Sequence, residues 1–425
     1  MKNFYLKPKI CDTFENFTKQ QFIKDLTAGV IVAIIALPLS IALALASGVE
    51  PACGVYTAIF AGFIVALCGG SNVQIAGPTA AFATVVAGIV ASKGMSGLII
   101  ATLMAGVMLL LMGLLKLGSL IRFVPKTITV GFTAGIAVTI LIGQIKDFMG
   151  ITYTSGVKPI EAFEKLEANI EHFSTFTWQS LLVGVVCLAI LIVYPKFEKR
   201  VPPSLIAVVA GALMVNLIPA LNDGVYTIGE LYSIPAGFPK FTLGTISFNV
   251  NDVVALIPDA FTIAILAGIE SLLSCVVADS MVKDKHNPNA ELVAQGLGNM
   301  ASVLFGGIPA TGAIARTAAN IKNGGRTPIA GMTHSLILLL VVLFLMPLAS
   351  LIPMPTIAAI LFIVAYNMSE WRSFLKIVKE KNFTDILVLV LTFALTVIFD
   401  LVVAIIVGLA LHFAIVLLKR IGKKA

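Results

Sequence analysis

The sequence predicts an all-α, polytopic membrane protein, and three observations carry that expectation. Of 425 residues, 58% are hydrophobic and 12% are charged, about half the ~25% of a soluble domain, and mean hydropathy is +1.01. The apolar residues come in runs, many of them near the ~20 residues of helix that a bilayer requires. The basic residues gather in every second gap between those runs, as the positive-inside bias requires. With 29 Lys+Arg and 22 Asp+Glu, the chain cannot cover a water-soluble fold of this length. A soluble enzyme, a DNA-binding module and a disordered scaffold are therefore poor readings. The net charge of +7 reads as topology, with anionic lipid as a partner and no nucleic acid.

The first run begins near Leu26, after polar text carrying Lys2, Lys7, Lys9, Lys19 and Lys24. It is long enough to span and is no cleavable signal. The runs lie at 26–46, 53–68, 76–91, 97–115, 125–148, 178–194, 203–218, 254–277, 290–305, 312–321, 328–350, 354–367, 383–399 and 400–419. Fourteen such spans use about 280 residues and leave short loops. One set of loops carries Lys116, Arg122 and Lys126; Lys196, Lys199 and Arg200; Lys283 and Lys285; Lys322 and Arg326; then Arg372, Lys376, Lys379 and Lys381. The tail adds Lys419, Arg420, Lys423 and Lys424. On the other side, 149–177 holds Glu161, Glu164, Glu167 and Glu171 against Lys158 and Lys165. The loop 219–253 holds Asp223, Glu230 and Asp252 against Lys240. The alternation predicts an even number of spans near fourteen, with both termini cytoplasmic, in the cell's inner membrane.

The loop 219–253, rich in Gly, Pro and β-branched residues, is expected to form an external cap. The segment 368–382 mixes Trp371, Phe374, Leu375 and Ile377 with basic residues, the pattern of a helix lying on the inner membrane surface. Cys11, Cys53, Cys68, Cys187 and Cys275 fit no metal or disulfide spacing and read as small core residues. Gln144, Lys146 and Asp147 are expected at an interface, and Asp279, Lys283 and Lys285 as solvated loop charges.

Two interruptions are the informative feature. The first runs from Gly69-Gly70 through Ser71-Asn72-Val73-Gln74-Ile75-Ala76-Gly77-Pro78 into Thr79-Ala80-Ala81-Phe82. The second runs from Gly306-Gly307 through Ile308-Pro309-Ala310-Thr311 into Gly312-Ala313-Ile314-Ala315-Arg316. Each begins with two glycines, passes through a short extended stretch and starts a helix with small residues. Each is third in its half, at spans 3 and 10. Seven spans is an odd number, so the second half enters the membrane upside down. Interrupted segments at matching places in two halves are the pointer to a 7+7 inverted-repeat transporter. A helix that begins inside the membrane leaves its first amides unpaired and carries partial positive charge there. Two such ends facing each other make an anion site.

Two charges fall inside the spanning text. Glu270 lies near the middle of run 254–277, where an ionisable residue is costly and points to function. Arg316 lies in the first turns of the second half-helix. One reading has Arg316 attract an anion while Glu270 binds a coupling H⁺ or Na⁺; another, not exclusive of it, has the two form a structural ion pair. Ser271, Ser274 and Thr311 are possible oxygen ligands for a cation. His334 reads as a packing residue. The sequence holds no Walker A, HExxH or GxSxG pattern, so neither enzyme chemistry nor an ATP-driven pump has support, and no cofactor is expected.

At these residues the chain resembles the SulP family of anion transporters, bacterial relatives of the sulfate and anion permeases. The resemblance rests on Asp25-Leu26-Thr27-Ala28-Gly29 with Leu37-Pro38, on Gly54-Val55-Tyr56 and on Gln74 to Ala81. It continues through Val130-Gly131-Phe132-Thr133-Ala134-Gly135, Arg316-Thr317-Ala318-Ala319-Asn320 and Gly324-Gly325-Arg326-Thr327. It implies fourteen spans, a homodimer and an anion held between spans 3 and 10. It also implies a core (about 26–115 and 254–350) that moves against a gate (about 125–218 and 354–419) in an elevator-like cycle. Family members usually carry a STAS domain after the last span; the expectation here is the membrane domain without it. Many members read Pro-Gln-Gly-x-Ala-Tyr-Ala in the first span, where this chain has Pro38-Leu39-Ser40-Ile41-Ala42-Leu43-Ala44. That difference resembles the bicarbonate-type branch, whereas Glu at 270 resembles proton-coupled members.

The expected function is secondary active transport of a small inorganic oxyanion, sulfate or bicarbonate, by H⁺ or Na⁺ symport. The anion would sit at Thr79, Ala80, Ala81, Phe82, Gly312, Ala313, Ala315 and Arg316. Cation coupling would use Glu270, Ser274, Ala310 and Thr311, with Na⁺ at Glu270 and Ser274 if sodium is the ion. The alternatives are a dicarboxylate or nucleobase carrier on the same fold, or an uncoupled exchanger or channel.

Overall fold

A computed structural model of the chain describes residues 6–13, 18–119, 125–154, 157, 159–198, 201–233, 237–242 and 250–398, with positions 404, 407, 408, 410, 411, 414 and 415. The expected last span, 400–419, falls mostly outside the described residues, as do Lys2, Arg122, Lys158, Lys199, Arg200, Lys419, Arg420, Lys423 and Lys424.

Local chemistry sets the helix ends. Helix α1 (Lys19–Ala46) starts where the Thr18 hydroxyl accepts the Gln21 amide at 3.2 Å, a side-chain N-cap. Helix α2 (Pro51–Cys68) takes its proline at the first turn, where the missing N–H costs nothing. Strand β1 (Ala76–Gly77) and a 3-10 turn (Ala80–Phe82) lead into α3 (Ala83–Leu114). Gly94 breaks α3 with φ 68 and ψ −178, a left-handed φ that glycine adopts without strain. The runs at 76–91 and 97–115 are thus two arms meeting at that glycine. Helix α4 (Lys126–Met149) ends on Gly150 at φ 65, the usual left-handed stop. Then come α5 (Ala162–Glu171), α6 (Trp178–Val193) and α7 (Pro203–Leu217).

The second half runs through α8 (Ile257–Val282), α9 (Pro288–Leu304), strand β2 (Thr311–Gly312) and α10 (Ile314–Lys322). It continues with α11 (Pro328–Phe344), α12 (Met354–Met368), α13 (Trp371–Lys379) and α14 (Phe383–Ile398). Packing is reciprocal between halves. Helix α9 lies against α2 and α3, α11 lies against α1 and α2, and α8 lies against α3. Separately, α4 packs on α12 and α14, and α6 packs on α12.

The chain is a predominantly helical, multi-pass membrane protein. Among the described residues, six helices are long and apolar enough to cross a bilayer, and α7, α11 and α14 are shorter apolar helices. Helix α10 has nine residues, too few for a crossing. In the loop 219–253, the described parts form one-turn helices at Pro219–Asn222 and Ile228–Leu231. The loop is fastened to the chain before α12 by Ile228 N–H to the Ile352 carbonyl and Met354 N–H to the Tyr226 carbonyl, both 2.9 Å. Helix α13 buries none of its residues, and Phe374 meets Phe393 edge-on at 5.8 Å.

One loop departs from expectation. Asp279 is not a free solvated charge: its carboxylate takes the His286 ring nitrogen at 2.7 Å and the His286 amide at 3.1 Å. Next to it, Asp284 accepts from Lys9 Nζ at 3.1 Å and Asn72 Nδ2 at 2.7 Å. Burial alone would raise the Asp284 carboxyl. The Lys285 amide, Lys9 and Asn72 outweigh burial and hold it below its ordinary value. A sequence-local reading sees a charged loop; the partners come from Lys9 and Asn72, over two hundred residues away.

Candidate functional site

The two interrupted segments meet. Strands β1 and β2 pair antiparallel, Ala76 opposite Gly312 and Gly77 opposite Thr311, and the Ala313 amide donates to the Ile75 carbonyl at 2.8 Å. Each strand leads directly into a helix start. In α10 the first intrahelical bond runs from the Thr317 amide to the Ala313 carbonyl at 2.8 Å. The amides of Ile314, Ala315 and Arg316 therefore precede any intrahelical acceptor. On the other side, the first bond of the turn runs from the Phe82 amide to the Thr79 carbonyl at 3.2 Å, which leaves the amides of Ala80 and Ala81 in the same position.

Irregular backbone within a membrane needs protein partners for its polar groups, and the structure supplies them. In the first segment, the Gly70 amide donates to Glu291 Oε2 at 3.0 Å and the Ile75 amide to Thr317 Oγ1 at 3.0 Å. Asn320 Nδ2 donates to the Val73 carbonyl at 2.9 Å. In the second segment, Thr57 Oγ1 accepts the Ile308 amide at 2.8 Å, and Ser302 Oγ donates to the Ile308 carbonyl at 2.7 Å. Asn299 clasps Ala310 from both ends, taking its amide at 2.8 Å and bonding its carbonyl at 2.9 Å. Gln74 ties the segments to α8: its Nε2 donates to the Ser271 carbonyl at 3.1 Å and its Oε1 accepts from Ser274 at 2.9 Å.

Glu270 and Arg316 are both at this junction, but no salt bridge joins them among the described residues. Glu270 is half-buried, and its Oε2 accepts the Thr79 hydroxyl at 2.8 Å. Arg316 is 2% exposed. Its Nη2 donates to the Pro78 carbonyl, while Nε and Nη1 are buried with no hydrogen-bond partner. A Cβ on Gly77 would lie 2.5 Å from Nη1 and 3.3 Å from Ala58 Cα. The glycine thus lets the guanidinium pass close behind β1, on the side that faces α2.

The other expected residues separate into two groups. Thr79, Ala80, Ala81, Phe82, Ala315 and Arg316 lie at the two helix starts. Gly312 and Ala313 lie there too, but the Gly312 amide donates to Ser271 Oγ at 2.9 Å and the Ala313 amide to Ile75. Ser274, Ala310 and Thr311 are committed elsewhere. Ser274 bonds Gln74, the Ala310 carbonyl takes Asn299, and the Thr311 and Ser271 hydroxyls lie 2.7 Å apart. No hydrogen bond joins any of the three to Glu270 among the described residues. Sequence reading missed Glu291 and Asn299 as holders of the site. With Gln295 and Ser302 they form a helical stripe along α9, all fully buried, and that 3.6-residue period was a readable signal.

A family model described as the sulfate permease family matches residues 22–392. The chain belongs to that family. It is 45% identical over 405 residues to the Bacillus subtilis (strain 168) protein YvdB, spanning 94% of this chain and 74% of the relative. It is 35% identical over 397 residues to the bicarbonate transporter BicA of Picosynechococcus sp., spanning 90% of this chain and 68% of the relative. Among solved structures, the transmembrane domain of a cyanobacterium bicarbonate transporter BicA superposes with a TM-score of 0.80 at 32% identity, over 91% of this chain and 98% of that one. The murine Slc26a9 anion transporter in the inward-facing state shares the fold, with a TM-score of 0.87 at 19% identity, over 98% of this chain and 72% of that one. Its relatives are transporters, and the chain is not an enzyme.

Proposed function

We propose that this chain is a secondary active transporter of a small oxyanion, sulfate or bicarbonate, driven by a cation taken up at Glu270. One observation carries the reading: a buried guanidinium with a single protein partner stands between two helix starts whose first amides lack intrahelical acceptors. The amides of Ala80, Ala81, Ile314 and Ala315 are the direct ligands, in the manner of helix N-termini that hold phosphate or sulfate. Arg316 supplies charge from behind β1 rather than a direct bond. Gly312 and Ala313 form the floor, since their amides are already used.

Glu270 couples by charge. Its carboxylate bonds Thr79, beside the first helix start, so an ionised Glu270 repels an anion there. At ~6 Å and an effective dielectric of ~20, two like charges repel by about 3 kcal/mol. Neutralising Glu270 removes that penalty, so anion and cation each strengthen the other's binding, as linkage requires. The prior commitment of the Ser274 and Thr311 oxygens favours a proton over Na⁺ as the neutralising ion. The group α1–α3 with α8–α11 then carries the site against α4–α7 with α12–α14 in an elevator-like stroke.

Uptake into proteoliposomes tests this. Labelled sulfate and bicarbonate are offered under separate H⁺ and Na⁺ gradients, with controls for passive CO₂ passage. The expected result is uphill accumulation under an inward proton gradient. Glu270→Gln should abolish accumulation and keep counterflow of labelled anion. Undiminished accumulation by the Gln variant overturns the coupling role.

A further inference from the structure

Arg316 is not alone in having buried nitrogens without partners. His334, on α11, is 0% exposed, and both of its ring nitrogens are buried without a hydrogen bond. Polar groups buried in protein are nearly always bonded, and the exceptions call for an unseen partner. The two orphaned side chains share one place. A Cβ on Gly62 would lie 3.9 Å from His334 Cδ2 and 3.2 Å from the Ala76 carbonyl. The Arg316 guanidinium abuts Gly77 and, through it, Ala58. Ala58 and Gly62 are one turn apart on α2, and Ala76 and Gly77 are the two residues of β1. Ser335, next to His334, fastens this side by donating to the Ala58 carbonyl at 3.1 Å. Both side chains therefore border the same narrow layer between β1 and α2.

The donor and acceptor inventory is complementary. A guanidinium offers only donors, and a neutral imidazole offers one donor and one acceptor. The two surplus nitrogens of Arg316 need acceptors, and His334 has one to give. We infer that His334 is a positioning residue for Arg316, joined to it through ordered water in the layer between β1 and α2. Such a water accepts from Arg316 and donates to the imidazole, with the Ala76 carbonyl within the same layer. That gives it the two to four polar partners that a buried water requires. The linkage fixes the guanidinium against β1, from where its charge reaches the helix starts. The transport consequence rests on the proposal that Arg316 attracts the anion; the linkage itself does not.

Two measurements therefore run in parallel. The first is a double-mutant cycle in thermal stability, read in detergent without substrate, over His334→Leu and Arg316→Ala. Coupled residues give a strongly non-additive shift, because once Arg316 is gone the imidazole's partner is gone too. An additive cycle overturns the inference, whatever the transport data show. The second is transport. His334→Leu should raise the apparent KM for the anion about tenfold with kcat little changed, and His334→Gln, which keeps a donor and an acceptor, should restore it. An unchanged KM in a folded His334→Leu protein overturns the positioning role. If Arg316→Ala also leaves KM unchanged, the anion-attraction proposal fails instead, and the stability cycle still decides the linkage. If the Leu variant does not fold, a density map of the wild-type protein decides: ordered solvent between His334 and Arg316 supports the inference, and a dry gap overturns it.

Discussion

The two interrupted segments are alike in geometry and unlike in chemistry. Both run from paired glycines through a short strand into a helix start, and they pair strand to strand. The first segment, 69–82, contains no charged residue; its holders Glu291, Thr317 and Asn320 reach across from the other half. The second segment ends in Arg316, and Asn299 and Ser302 of its own half hold it together with Thr57. Glu270 also belongs to the second half. The two paired segments each bring a helix start with free leading amides, while charge is placed on one side only. Two segments of like geometry thus differ in the charge they present at their junction.

The largest expected effect tests that asymmetry. Removing the second segment's charge with Arg316→Ala should weaken apparent anion affinity about 100-fold, as expected for a unit charge ~6 Å away at an effective dielectric of ~20. Thr79→Val, at the start of the first helix, should change it far less. Binding measured by calorimetry in detergent checks both, and equal losses would break the comparison. A middle-sized effect concerns the holders. Asn299→Leu should destabilise by roughly 3 kcal/mol, since both polar groups of Ala310 lose their partner. Glu291→Gln should cost about 1 kcal/mol and leave accumulation intact, because its oxygen still accepts the Gly70 amide and the Gln295 amide can turn its unpartnered oxygen to the new N–H. Thermal unfolding and proteoliposome uptake read these; lost accumulation in Glu291→Gln would mean that the first segment has a functional charge after all.

The smallest effect lies in the loop that covers Gly69–Asn72. Asp284 is held below its ordinary pKa. Its contribution is therefore present at neutral pH and is lost as pH falls through its folded value. Asp284→Asn should lower stability by less than about 1 kcal/mol, in keeping with a partly exposed ion pair. The difference from wild type should vanish in melts recorded in strong acid.

Much of this was legible in the sequence, and the illegible part has a common cause. Paired glycines, small residues and two charges in apolar runs mark the junction of the two segments because each violates what a lipid-facing helix allows. The partners of Gly70, Gln74 and Ala310 were not announced. Glu291, Gln295 and Asn299 sit in a run whose apolar residues dominate any average, so their stripe shows only when the helical period is drawn. The alternative reading, a structural ion pair between Glu270 and Arg316, is not met among the described residues for a related reason. Sequence places both residues at one junction, yet only the fold shows β1 lying against the guanidinium while Thr79 takes the carboxylate.

The strand pairing also bears on how the protein is made. Gly70 waits for Glu291, 221 residues later, and Gln74 waits for Ser271, 197 residues later. Until α8 and α9 leave the ribosome and enter the bilayer, the Gly70 amide and the Gln74 side chain lack these partners. An unfinished first half therefore holds a polar, non-helical stretch with part of its bonding unmet, an unstable state in hydrocarbon. Synthesis that stops early should leave a chain marked for membrane proteolysis, and co-expressed halves should rescue each other only if inserted together.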